Sequence, residues 1–213
     1  MSFKLYQVAG FKPAIEFMRK PLKSYAKADS DFSQSDGPDF EIGPVDYDLA
    51  KRLWKGGPVH RKWLRMVYAW IDIEAPLYFW SEFDTYQHIT KNSESTLHTI
   101  QKEDFDNVGY CLENCGHPAV DEAHKHLIPI IQSLQNEYYD AKTAEEKNHI
   151  RLAIKDILPT GYIQRRGVCL NYETIALMYD QRKDHRLPIW SVDFVDFCKS
   201  LPKSEFITGE FAE

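Results

Sequence analysis

Residues 64–73 constrain the fold more than any other stretch of this chain. Read as a strand, the segment points Met66, Tyr68 and Trp70 one way and Val67, Ala69, Ile71 and Ile73 the other. Both faces are apolar, so both are expected to be covered, because leaving large apolar side chains in water is costly. Val120, Ala123, Leu127, Ile130, Ile131, Leu134 and Tyr138 recur at three and four, which predicts an amphipathic helix over residues 120–139. A second helix is predicted over 144–157, ending before Pro159.

Shorter signals fill in the rest. Residues 4–8 read as a strand stopped by Gly10, and 13–19 as a helix with Pro13 in its first turn. The Ser, Asp, Gly and Pro-rich stretch 24–44 reads as loop, most clearly at 30–38. Residues 46–54 read as a helix capped by Asp46 or Asp48 and broken by Gly56-Gly57-Pro58. Ala75-Pro76 ends the apolar strand, and 77–83 reads as helix. Residues 163–170 read as extended, followed by a helix that Asn171 caps and that runs to about Arg182. The last helix is expected at 190–201, with a surface tail beyond it. The expected class is α+β: a mixed or antiparallel central sheet with long helices, in one domain over residues 1–213.

Composition narrows the function. The chain has 213 residues, 43% of them hydrophobic, which suits a folded domain with a real core. The net charge is −6 and no Lys/Arg block appears, so nucleic acid is not an expected partner. No apolar run is long enough to span a membrane, and the first residues lack the apolar core of a signal peptide, so a cytoplasmic protein is expected. Cys111, Cys115, Cys169 and Cys198 are then thiols by default. Cys111-x3-Cys115-x-His117, with His124 and His126 nearby, has the donor types of a zinc site. A second ligand pair at suitable spacing is missing, so the plain reading is a loop with two ordinary cysteines and no metal.

One segment carries a family likeness. Residues 75–98 read Ala75-Pro76, an apolar helix, Thr85-Tyr86-Gln87, two spacers, Thr90, a spacer, then Asn92-Ser93-x-Ser95-x-Leu97. The order resembles, without a gap, the heart of the flavin-dependent thymidylate synthases (the ThyX family). There the pattern is Arg-His-Arg, two spacers, Ser, a spacer, and Asn-Glu-x-Ser-x-Arg. Leu158-Pro159 followed by Asn171 and Arg182 agrees with a second family segment: a Leu-Pro before an Asn-x-Arg helix that ends in Arg. Lys155 stands where the family has a substrate-binding Arg, and His60 stands at its Gly-His.

The resemblance implies methylation of dUMP to dTMP, with methylenetetrahydrofolate as carbon donor, FAD as hydride carrier and NADPH as its reductant. It implies a homotetramer with active sites between subunits. Arg182 and Ser95 fall at catalytic positions, and Ser93, Ser95, Lys155 and Arg182 at substrate positions. His60, Tyr86, Gln87, His88 and Asn171 fall at or beside the flavin-contact positions. Several also suit plainer roles: Asn171 as a helix cap, Ser95 as a turn residue, Arg182 as a cation at a helix C-terminus. Thr85-Tyr86-Gln87 carries none of the charge of Arg-His-Arg. Losing two charged hydrogen bonds weakens a flavin site by about 3–6 kcal/mol. Leu97 replaces a phosphate-binding Arg, and Arg165 or Arg166 is the nearest compensating cation. The other reading is a non-catalytic nucleotide-binding or structural protein on the same scaffold.

Overall fold

In the computed structural model, residues 1–32, 40–105, 112 and 115–211 are described. Four strands form one antiparallel sheet: β1 (Ser2–Ala9), β2 (Tyr68–Pro76), β3 (Ile89–Ser93) and β4 (Ile163–Asn171), in the order β1-β2-β4-β3. The rest is mainly helical, so the α+β class stands. The chain groups into two compact units. One holds Met1, Glu74–Thr85 and Asn92–Arg166; the other holds Ser2–Ile73, Tyr86–Lys91 and Gly167–Glu213. Strands β2, β3 and β4 run from one unit into the other, so each unit owns a stretch of them.

The first unit is built on a helical hairpin. Helix α5 (Pro118–Asp140) and helix α6 (Ala144–Ile157) pack together across a short turn. A capping box opens α6. Thr143 Oγ1 accepts from the Glu146 amide at 3.1 Å, and Glu146 Oε2 accepts from the Thr143 amide at 3.0 Å. Two backbone amides at the helix start are thereby satisfied reciprocally. Ile131 of α5 and Ile154 of α6 are fully buried with Ile100, Phe105, Leu112 and Tyr162. Each such side chain contributes about 1.5–3 kcal/mol. Helix α3 (Leu77–Phe83) and the short α4 (Thr96–Thr99) complete this unit. Trp80 of α3 donates Nε1 to the carbonyls of Ala75, at 3.1 Å, and Gln164, at 3.0 Å.

The second unit gathers the remaining helices. Strand β1 ends at Gly10, whose φ is +99°, and a Cβ there would overlap the Met66 carbonyl oxygen. Only glycine fits, so the turn into helix α1 (Phe11–Met18) is fixed by one residue. Helix α2 (Pro44–Lys55) starts two residues before the predicted point, with Gly43 as its N-cap. Neither Asp46 nor Asp48 caps it. Asp29 does the capping from outside: its carboxylate accepts from the amides of Val45, at 2.8 Å, and Asp46, at 2.9 Å. Asp46 is turned inward, 1% exposed, and ion-pairs with the equally buried Arg19.

Four further expectations change. Residues 61–66 form a 3-10 turn, so the strand begins at Tyr68 and not at 64. Ala69, Ile71, Ile73 and Ala75 are buried as expected, but Tyr68 and Trp70 are 38% and 41% exposed, so the second face is open in the single chain. Helix α7 (Tyr172–Arg182) agrees with the prediction and buries Ile175, Ala176 and Met178. The final predicted helix divides into a π-turn at Ile189–Phe194 and helix α8 (Val195–Ser200). The tail is not surface: helix α9 (Glu205–Thr208) buries Phe206 and Ile207, and the Phe206 carbonyl accepts from Trp54 Nε1 at 2.9 Å. The expected loop at 30–38 lies mostly outside the described residues.

Candidate functional site

Arg182 closes α7 and is held there by Tyr86 and Trp190 of its own unit. Its Nε donates to the Tyr86 hydroxyl at 2.8 Å, and that hydroxyl donates onward to Gln181 Oε1 at 3.0 Å. The guanidinium carbon sits 4.7 Å from the centre of the buried Trp190 ring and 5.6 Å from that of Tyr86. A cation over tryptophan gains about 0.5–2 kcal/mol while keeping its charge. The position is therefore organised before any ligand arrives, which lowers the entropic cost of binding an anion. Tyr86, expected on the flavin side, is the residue that orients Arg182.

The other second-unit candidates are spread out. Asn171 caps α7: its Oδ1 accepts from the Thr174 amide at 2.9 Å and from the Thr174 hydroxyl at 3.2 Å, and the residue is 5% exposed. It stands at the far end of the helix from Arg182, about 16 Å along the axis. His60 follows the Gly57-Pro58 turn and is exposed. Gln87 and His88 are exposed as well, and His88 takes a left-handed φ of 62° at the turn into β3. Among the described residues the side chains of His60, Gln87 and His88 make no hydrogen bond.

In the first unit, Ser93 ends β3 and Ser95 N-caps α4, both exposed. Ser95 caps through its carbonyl, which accepts from the amides of His98 and Thr99, and its hydroxyl is not used in the cap. Glu94 between them is tied to β4: its amide donates to the Arg165 carbonyl at 3.0 Å, and its carbonyl accepts from Gln164 Nε2 at 2.7 Å. Lys155 is exposed in the last turn of α6, whose C-terminal carbonyls it complements.

The electrostatics here are acidic. Burial pushes the Glu103 carboxyl above its ordinary range, and the nearby Glu94 and Asp104 add to this; a hydrogen bond from the Tyr162 hydroxyl, at 3.2 Å, opposes it. Arg166, expected as a compensating cation for Leu97, is already engaged. It donates to both Asp84 oxygens at 3.1 Å and to Gln164 Oε1 at 2.9 Å, and stacks 4.3 Å over Trp80. Arg165 makes a looser pair with Glu74 at 3.7 Å.

Sequence reasoning missed Gln181, Trp190 and Asp84. Trp190 carried no signal, because an aromatic eight residues past a helix end is simply an apolar residue. Among the described residues no three His, Cys, Asp or Glu side chains cluster as metal ligands. Cys111 lies outside them, and His117 Nδ1 is used as the α5 cap, accepting from the Ala119 amide at 3.2 Å. No helix among the described residues is long and apolar enough to cross a membrane.

A four-stranded antiparallel sheet with long helices, and an arginine held by Tyr86 at the end of α7, define an α+β scaffold. The scaffold has solved counterparts. The chain is similar to thymidylate synthase X (ThyX) from Helicobacter pylori with FAD and dUMP: TM-score 0.73, 13% identity, 98% of each chain covered. It is equally similar to the flavin-dependent thymidylate synthase ThyX from Helicobacter pylori complexed with FAD and dUMP: TM-score 0.71, 14% identity, 100% of each chain covered. No protein-family model matches the sequence, and no curated protein matches it. At such identities the likeness is one of fold, and it is the fold that the resemblance of residues 75–98 implied.

Proposed function

We propose that this chain is a divergent flavin-dependent thymidylate synthase, methylating dUMP or a close pyrimidine nucleotide with methylenetetrahydrofolate and NADPH, and working as a homotetramer. The observation that carries the reading is the preset Arg182, on a fold shared over its whole length with two structures that hold FAD and dUMP. Arg182 takes the nucleotide phosphate; a planar guanidinium matches its oxygens in a bidentate way. Lys155 adds a point charge, and Ser93 and Ser95 offer hydroxyl donors by their places in the family pattern.

For FAD, the exposed and unengaged His60, Gln87 and His88 fit hydrogen bonding to a flavin's neutral edges. Asn171 Oδ1 is already engaged as the cap of α7, which leaves its amide nitrogen as the group it can offer. When bound, FAD supplies the hydride chemistry that no side chain can. The chain's own residues hold the nucleotide by its charge and keep its ring in a fixed orientation.

The test is thermal unfolding with dUMP and with deoxyuridine, which lacks the phosphate. The reading predicts that dUMP raises the midpoint and deoxyuridine does so less. Arg182→Ala weakens dUMP by roughly 10- to 150-fold, the worth of one charged hydrogen bond. A wild-type protein whose midpoint no nucleotide moves would contradict it.

A further inference from the structure

The turn that carries His60 lies in the most basic part of an acidic chain. No Asp or Glu stands between Asp48 and Asp72, while Lys51, Arg52, Lys55, Arg61, Lys62 and Arg65 fall in that run, against a net charge of −6. Most of these cations are engaged within the fold. Lys51 lies 5.5 Å from the centre of the Phe211 ring. Arg52 pairs with Asp48 at 3.0 Å. Lys55 sits in the last turn of α2, where a cation suits the helix C-terminus. Arg61 donates Nε to the Trp54 carbonyl at 2.8 Å, and its guanidinium lies 3.9 Å from the centre of the Trp54 ring.

Lys62 and Arg65 remain. Both are exposed, and among the described residues neither makes an ion pair with a carboxylate. They are three apart in the 3-10 turn Arg61–Met66, a spacing at which side chains eclipse, so both project from one side. Like charges set side by side on a helix cost stability. Arg65 Nη2 donates to the Pro58 carbonyl at 3.3 Å, which draws the guanidinium back over the Gly57–His60 turn. The His60 ring lies against Gly56: a Cβ there would come 3.0 Å from its Cδ2. Burial raises the Glu173 carboxyl, and Arg61, then Arg65, draw it down. Arg61 is thus its first counter-ion, and Lys62 is left with none. The 3-10 turn reaches α7 at the Asn171 end, where the Tyr172 amide donates to the Val67 carbonyl at 2.9 Å. Arg182 is at the other end of that helix.

We propose that Lys62 and Arg65 hold the diphosphate of FAD. The proposal rests on the flavin reading and names the cations that reading lacks. A flavin dinucleotide carries two adjacent phosphate charges, and Thr85-Tyr86-Gln87 offers no formal charge to meet them. Lys62 supplies a compact charge and Arg65 a planar fork. Both make charge-assisted hydrogen bonds to phosphate oxygens, and an anion set between them removes their mutual repulsion. His60 and Asn171, at flavin-contact positions by resemblance, stand at the same end of α7 as this pair. The nucleotide phosphate goes to Arg182 at the opposite end, so the two anions do not compete for one cation.

The test is equilibrium dialysis of the full chain against FAD and against riboflavin, which has the same ring system and no phosphate. FAD is expected to bind about tenfold or more tightly than riboflavin, by a margin that shrinks as salt rises from about 50 to 500 mM. Lys62→Gln and Arg65→Gln are each expected to weaken FAD about tenfold or more and to leave riboflavin unchanged. Both positions are exposed, so neither substitution disturbs the core. Lys62→Arg keeps the charge and is expected to keep most of the affinity. Lys199→Gln, which removes an exposed cation from α8, is expected to leave it unchanged. Equal affinity for FAD and riboflavin would overturn the proposal and leave the flavin reading standing. So would FAD binding that neither Lys62→Gln nor Arg65→Gln weakens. No binding of FAD to the wild-type chain at up to about 100 µM would overturn both.

Discussion

Asp46 and Arg19 are 1% and 3% exposed and depend on each other. Burial alone would raise the Asp46 carboxyl. Hydrogen bonds from the Ser30 hydroxyl, the Asp29 and Ser30 amides and Arg19 outweigh it and hold the group below its usual value. Asp46→Asn leaves a buried guanidinium unpaired and should cost about 3–5 kcal/mol in urea unfolding at neutral pH. The sign with pH follows from the lowered value: this stabilisation is present above the unfolded pKa and is lost as pH falls through the folded one. Glu103 behaves oppositely. Its raised carboxyl means that wild-type stability falls as pH rises through the carboxylate range. Glu103→Gln should therefore gain on wild type as pH rises, and match it in acid; a constant difference across pH would rule this out. Tyr86→Phe removes only the hydroxyl that holds Arg182. Weakening of dUMP by roughly two- to tenfold, with deoxyuridine unaffected, is the expected result by calorimetry. Equal affinities would show that Arg182 needs no such support. Of this residue-level detail, Arg182 was legible because its spacing from Leu158-Pro159 matched a known pattern. Gln181 and Trp190 were not, because what they do depends on where Tyr86 is delivered by a distant turn.

Helices were legible where local rules decide them. Helix α6 has the predicted bounds because a capping box starts it and Pro159 follows it. Helix α7 begins where Asn171 supplies the cap and ends at Arg182, as the sequence implies. Asn171→Ala should cost roughly 0.5–2 kcal/mol of stability, and Asn171→Asp far less, in denaturant titration. A large loss of flavin affinity in Asn171→Asp, with stability kept, would instead make it a flavin contact. The misses share a cause: a long-range partner overrides a local preference. Asp46 looked like a cap, but Asp29, far back in the chain, occupies that role and frees Asp46 to meet Arg19. Residues 64–66 have strand-like alternation but are wound into a 3-10 turn beside Gly10. Phe206 and Ile207 are too short a run to announce a helix, and they are buried because Gly209, at φ +78°, lets the backbone close on Trp54.

At the scale of the whole molecule, the likeness to the two ThyX structures runs over essentially the entire chain, whereas identity is only 13% and 14%. Fold survives such change because it rests on buried apolar volume such as Trp80, Ile131 and Phe206, and tolerates exchange of exposed polar groups. Shared active sites require assembly. Light scattering at micromolar concentration should give a tetramer, and a monomer would make the shared-site reading untenable. The face of β2 that carries the exposed Tyr68 and Trp70 was expected to be covered, and the single chain leaves it open. The most direct test of the proposed function is the visible absorbance of the purified protein supplied with FAD, followed during anaerobic addition of NADPH with and without dUMP. The reading predicts a bound flavin whose absorbance bleaches with NADPH, at a rate that depends on dUMP. A protein that retains no flavin at micromolar concentration, or whose flavin ignores dUMP, would contradict it.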